Sequence, residues 1–185
     1  MPDTTPTQRA AAWLASLDAA LSRNDAQGAA ELFDADCYWR DLVAFTWNIK
    51  TAEGKAAIAD MLKSTLKEVA PKGWKLTGEA TEADGITEGW FTFETKLARG
   101  LGHVRLKGDK AWTLLTTAQE LKGFEEKKGK NRWFGTEHGV FPGRKNWAEK
   151  KADEEAALGV TKQPYVLIVG GGQGGIALGA RLKRL

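Results

Sequence analysis

The chain has little of what marks several classes of protein. Only one of its 185 residues is a cysteine, Cys37, so an internal disulfide and a cysteine-based zinc site are excluded. The apolar runs fall far short of the roughly 20 residues that cross a membrane, and the N-terminus lacks the pattern of a secretory signal. A formal net charge of +3 does not indicate nucleic acid or an acidic membrane as a partner. We expect a cytoplasmic protein that binds neither.

Histidine is equally scarce, with His103 and His138 as the two examples. They lack the helical or hairpin spacing of metal ligands, so we predict no metal site. Tryptophan, by contrast, is abundant, with eight residues. So many rings indicate either a thick core or an aromatic-lined cavity, and we favour the core.

The first third of the chain has helical periodicity. Residues 5–33 predict two helices, the first entered through Thr5 as N-cap, with Gln8 completing a capping box. A strand is predicted at 37–43, and a third helix at 52–69.

From residue 74 to about 124 the period changes to the alternation of strands. Turn signals at Asp84-Gly85 and Gly108-Asp109 divide this region into an antiparallel meander. Phe91, Phe93 and Leu97 are predicted to share one face of it. Helices followed by a run of strands indicate an α+β domain over residues 1–125.

The order of these elements, with the segment Phe33-Asp-Ala-Asp-Cys-Tyr-Trp-Arg-Asp41, resembles the nuclear transport factor 2 superfamily, which includes the SnoaL-like proteins. The resemblance implies a cone in which helices pack on a curved antiparallel sheet around an apolar pocket for a small molecule. It also implies a homodimer formed through the sheet face.

The candidate pocket residues in the cone are Trp39, Asp41 and His103. Asp41 is expected either at the mouth of the cone, as a polar group for acid–base work, or at the surface, paired with a cation. Glu88 is a further acid–base candidate. The sequence does not identify a catalytic residue.

Residues 126–162 form a basic linker, and residues 163–185 carry a glycine motif. The apolar run 165–169 predicts a buried parallel strand, and Gly170, Gly172 and Gly175 follow in G-x-G-x-x-G spacing. These glycines suit the opening of a Rossmann domain, in which a helix N-terminus faces a pyrophosphate. Three further residues, Gly171, Gln173 and Gly174, would offer backbone amides.

Residues 159–185, preceded by the linker Glu137-His-Gly-Val-Phe-Pro-Gly-Arg-Lys-Asn-Trp147, resemble the start of flavin-containing monooxygenase-like proteins that carry such a cone at their N-terminus. The resemblance implies FAD on the glycine motif, NADPH on a second motif further on, and oxygenation of a small organic substrate by O2. The chain ends within the first helix of this domain, so we expect an N-terminal fragment that holds no dinucleotide tightly. Two alternatives remain: a stand-alone ligand-binding or isomerase-type cone, and a dimerisation module.

Overall fold

A computed structural model describes residues 4–132, 139–140, 142–163 and 166–182. The predicted positions His138 and Tyr165 lie outside these ranges. The chain divides into two compact units, Met1–Glu125 and Glu126–Leu185.

Three helices form one layer of the first unit: α1 (Pro6–Ser22), α2 (Ala26–Ala30) and α3 (Gly54–Val69). The predicted cap of α1 is confirmed, because the Thr5 hydroxyl accepts from the Gln8 amide while the Gln8 side chain accepts from the Thr5 amide. Helix α3 ends at Ala70, which adopts left-handed backbone angles (φ 44°). The end predicted for the third helix, residue 69, is therefore confirmed.

Six strands form one sheet. They are β1 (Phe33–Leu42), β2 (Ile49–Glu53), β3 (Lys72–Ala83), β4 (Ile86–Glu94), β5 (Ala98–Lys107) and β6 (Lys110–Leu121). Their order across the sheet is β2-β1-β6-β5-β4-β3. The predicted meander is confirmed as β3 to β6, but the sheet is mixed rather than antiparallel, because β1 pairs in parallel with β6. Register shifts in three of the pairings supply the bends of a curved sheet.

Aromatic rings fill the space between helices and sheet. Trp39 stacks on Phe33 and meets Phe45 edge to face, and the contacts continue to Trp74 and Phe93. All five side chains are buried. The preference for a core over an aromatic-lined cavity is therefore correct for this space.

Two glycines of β5 make room for these rings. A Cβ atom on Gly100 would lie 2.3 Å from the Phe93 ring, and one on Gly102 would lie 2.2 Å from the Phe91 ring. Phe91 and Phe93 thus share the buried face, as predicted. The prediction for Leu97 is wrong: this residue lies in the β4–β5 turn and is 53% exposed, because the strand alternation stops at Glu94.

The second unit contains α4 (Trp147–Ala157) and α5 (Gln173–Leu182). Helix α4 lies within the predicted linker, residues 126–162, and the basic side chains around it, such as Arg144 and Lys150, are exposed. The predicted strand at 165–169 is not present in its described part, 166–169, where Leu167 and Val169 are largely exposed. A parallel strand needs neighbouring strands, and the described part of this unit offers none. None of the described helices has the length and apolar character to span a bilayer.

Candidate functional site

Asp41 shapes the loop that follows β1. Its side chain is fully buried and accepts hydrogen bonds from the backbone amides of Ala44, Phe45 and Thr46, at 2.8 to 3.3 Å. The hydroxyls of Thr46 (2.8 Å) and Thr116 (2.9 Å) donate to it as well. A buried carboxylate is stable only with such partners. The amides of the turn after β1 supply them, so Asp41 both is stabilised by this turn and holds it in place.

Both expectations for Asp41 are therefore wrong. The carboxylate neither faces an open pocket nor pairs with a surface cation, because backbone amides and hydroxyls occupy its lone pairs. It acts on the loop instead. That loop holds Val43 (φ 58°) and Trp47 (φ 52°) in the left-handed region, which is costly for side chains of this kind.

Trp39, which was predicted to line a pocket inside the cone, lies in the core instead. Trp39 is fully buried, and its indole N–H donates to the Thr116 hydroxyl at 2.9 Å. The same hydroxyl donates to Asp41, which links the aromatic core to the loop. Trp39 is therefore a core residue and lines no pocket.

His103 lies on the other face of the sheet, which we call the outer face and which also carries Trp90, Glu88 and Arg105. The His103 ring lies 4.6 Å from the ring of Trp90, which is 49% exposed. Burial lowers the pKa of His103, and the nearby Glu88 opposes that shift. Glu88 itself pairs with Arg105 at 3.2 Å. Alternation along the strands separates His103 and Glu88 from Trp39 and Asp41, so these candidates do not form one site.

A pocket of about 420 Å³ lies at the rim of the first unit, between the loop after β1, the end of α3 and the β4–β5 turn. We call it the rim pocket. It is lined by Ala44, Phe45, Thr46, Trp47, Ser64, Thr65, Glu68, Val69, Thr95, Lys96 and Leu97. Trp47, 60% exposed, and Leu97 give it an accessible apolar wall.

Local hydrogen bonds fix the rim pocket. The Lys96 amide donates to the Val69 carbonyl at 2.8 Å, which ties the β4–β5 turn to the end of α3. Thr95 accepts from the Ala98 amide at 2.9 Å, and its own carbonyl accepts from the Lys122 ammonium at 2.7 Å. Three chain segments are thus held in place before any ligand arrives.

Sequence reasoning missed this site entirely. Trp47, Glu68 and Lys96 are far apart in the chain and belong to no motif. One local signal was available, since an aspartate at the end of a strand can accept hydrogen bonds from backbone amides that follow it, which favours a turn. That signal predicts the loop but not the cavity beside it.

The glycine turn of the second unit has a distinct local geometry. Gly170 has φ 113°, a region open to glycine. A Cβ atom on Gly175 would lie 2.0 Å from the Gly170 carbonyl oxygen, whereas one on Gly172 would meet open space. The Gly172 carbonyl accepts the first bond of α5, from Ile176 at 3.0 Å. The three glycines predicted to matter are thus brought together around one helix N-terminus.

Metal ligation finds no support in the part of the chain that the structure describes. No group of three or more His, Cys, Asp or Glu side chains there could hold an ion. Cys37 is buried, and burial raises the pKa of its thiol.

Comparison with known proteins informs the fold. No protein-family model matches the chain, and no curated protein matches it. Among solved structures, a domain of unknown function with a cystatin-like fold from Nostoc punctiforme is 13% identical, with a TM-score of 0.51 over 95% of each chain. A ketosteroid isomerase-like protein from Erwinia carotovora atroseptica is 12% identical, with a TM-score of 0.49 over 64% of this chain and 98% of the other.

An ntf2-like protein with a cystatin-like fold, from Novosphingobium aromaticivorans, is 16% identical, with a TM-score of 0.44 over 63% of this chain and 82% of the other. The Nostoc structure carries the conclusion, because its TM-score exceeds 0.5. The chain has an α+β, cystatin-like fold whose curved mixed sheet and helices agree with the nuclear-transport-factor-2-like cone. The flavin-dependent resemblance stays a prediction.

Proposed function

We propose that the first unit is a small-ligand-binding domain and that the rim pocket is its site. One observation carries the proposal: a preformed cavity of about 420 Å³ lies beside the exposed ring of Trp47, whose backbone is held in the left-handed region within the Asp41-capped loop. Ligand pockets commonly measure 300–1,000 Å³, with apolar walls and a few polar groups. Strain held in place at such a wall favours a functional role.

Binding is favoured over covalent catalysis by the hydroxyls of the pocket. Ser64 and Thr65 both donate to the Met61 carbonyl at 2.8 Å. A nucleophilic hydroxyl would instead donate to a base. Asp41, the acid nearest the loop, already accepts from five groups and has no lone pair free for a substrate proton.

Indole, a neutral aromatic compound, tests the proposal. Saturation-transfer NMR on the full chain should detect indole binding, and Ser64→Phe should abolish it by filling the pocket. Ser16→Phe is the matched control, because Ser16 is also an exposed helical serine that donates to a carbonyl of its own helix. Equal indole signals from both variants, or none from the unaltered chain, would contradict the proposal.

We also infer a second role, in the second unit: the glycine turn is the phosphate-contacting part of an FAD site in a flavin- and NAD(P)H-dependent monooxygenase. Support comes from the open space in front of Gly172, where a pyrophosphate would approach the backbone. The close approach of Gly175 to Gly170 forces the turn that precedes α5. The first amides of α5 would then donate to the phosphates.

Inorganic pyrophosphate is the probe for this role. At millimolar concentration it should shift the amide resonances of Gly171 to Gly174, and Gly172→Ala should remove those shifts without changing the helix content. Gly179→Ala is the control, since the added methyl makes an ordinary contact, 3.5 Å from the side chain of Ile168. Unchanged shifts in Gly172→Ala would overturn the assignment.

A further inference from the structure

We propose that the rim pocket selects a zwitterion, an α-amino acid or close analogue with an apolar side chain. This inference rests on the proposed function of that pocket and adds the chemical class of its ligand. It follows from the positions of donors, acceptors and charges on the three walls.

The α3 wall is an acceptor surface. Ser64 and Thr65 commit their hydroxyl protons to the Met61 carbonyl, so towards a ligand they offer lone pairs alone. Glu68 adds a carboxylate on the same turn. Glu68 also lies in the last turn of α3, where the helix dipole favours positive charge. An ammonium group satisfies every one of these features.

The β4–β5 turn supplies a cation to the same pocket. Lys96 lies in this turn, and its backbone amide donates to the Val69 carbonyl, which fixes the turn against α3. A carboxylate on the ligand suits its side-chain ammonium. The lining of the pocket therefore includes one anionic and one cationic residue, from two different elements.

The charged side chains of Glu68 and Lys96 do not form an ion pair with each other. No ion pair within 4 Å joins Glu68 to Lys96, and within the described ranges neither has another ion-pair partner. By contrast, the neighbouring Lys122 is engaged with Glu94 at 2.8 Å. Glu68 and Lys96 are thus free to bind a ligand that carries both signs.

The remaining wall is apolar. Trp47 and Leu97 expose about half or more of their surfaces at the mouth of the pocket, and Phe45 closes the floor behind them. An aromatic or aliphatic side chain would bury this surface, which favours binding through the hydrophobic effect. Neither a small polar zwitterion nor a purely apolar compound uses all three walls.

Four probes of one shape separate these contributions: phenylalanine, phenethylamine, hydrocinnamate and phenethyl alcohol. Titrations of the full chain followed by amide chemical shifts should rank phenylalanine first. Glu68→Gln should lower the affinity for phenylalanine and phenethylamine about tenfold and leave the affinity for hydrocinnamate unchanged. Lys96→Met should lower the affinity for phenylalanine and hydrocinnamate and leave that for phenethylamine unchanged.

Glu79→Gln and Lys75→Met are matched controls, because both side chains are exposed on β3 and line no part of the pocket. They should leave all four affinities unchanged. If phenethyl alcohol binds as well as phenylalanine, the zwitterion inference fails while ligand binding by the pocket stands. If no probe shifts the residues of the pocket, the inference and the proposed function fail together.

Discussion

Replacing Asp41 with asparagine keeps the size of the side chain but removes one acceptor oxygen from a loop that uses both. If the amide nitrogen takes the place of Oδ2, the Thr46 amide loses its acceptor at 2.8 Å. If it takes the place of Oδ1, the Ala44 amide and the Thr116 hydroxyl lose theirs. Neither orientation satisfies all the donors.

The size of the effect follows from those donors. A buried donor left without a partner costs roughly 1–3 kcal/mol, and a bond to a charged group contributes more than one to a neutral group, so we expect Asp41→Asn to lower the free energy of unfolding by about 2–4 kcal/mol. That is a large part of the stability of an ordinary domain. The variant should also weaken indole binding, because the loop that presents Trp47 is no longer fixed.

Urea unfolding at neutral pH, followed by near-ultraviolet circular dichroism of the aromatic core, measures the loss. With a slope of about 1–3 kcal/mol per molar urea, the midpoint should fall by roughly 1–2 M. Asp60→Asn is the control, since Asp60 is exposed and its ion pair with Lys63 contributes less than about 1 kcal/mol. If the free energy of unfolding of Asp41→Asn is within about 0.5 kcal/mol of that of the unaltered chain, the role given to Asp41 is wrong.

Three further predictions concern the sheet. Gly102→Ala should cost about 1–3 kcal/mol in urea unfolding, because the added carbon would lie 2.5 Å from the Leu115 carbonyl oxygen; an unchanged midpoint would contradict this packing. The lowered pKa of His103 makes stability fall as the pH drops below about 6.5, since the unfolded chain then binds more protons. His103→Phe should remove that decrease, and a persisting slope would refute it. Sedimentation should detect a homodimer formed through the outer face. Trp90→Arg should disrupt this dimer, and Trp47→Arg should not. A dimer unaffected by Trp90→Arg would exclude the outer face as the dimer interface.

Local signals predicted the parts of the fold that local interactions determine. The capping box at Thr5 and the turn at Asp84-Gly85 both lie within a few residues of the elements they delimit. Strand β2 (Ile49–Glu53) was not predicted, because its exposed residues show no alternation and its pairing with β1 depends on the Asp41-capped loop.

Long-range pairing and burial determined what the sequence could not predict. The parallel contact of β1 with β6 joins Trp39 to Leu114, far along the chain, and no spacing rule indicates it. Trp39 and Asp41 were rightly placed on one strand, but their partners, above all Thr116, come from that same distant strand. The rim pocket joins three segments, residues 44–47, 64–69 and 95–97, that are separated by other elements of the chain, so no motif marks it.

Intermolecular nuclear Overhauser effects between indole and the full chain determine whether the rim pocket is the binding site. We expect contacts from indole to the Trp47 ring and the Leu97 methyl groups, which line the mouth of the rim pocket. Contacts to Trp90 on the outer face instead, with none to Trp47 or Leu97, would contradict this expectation.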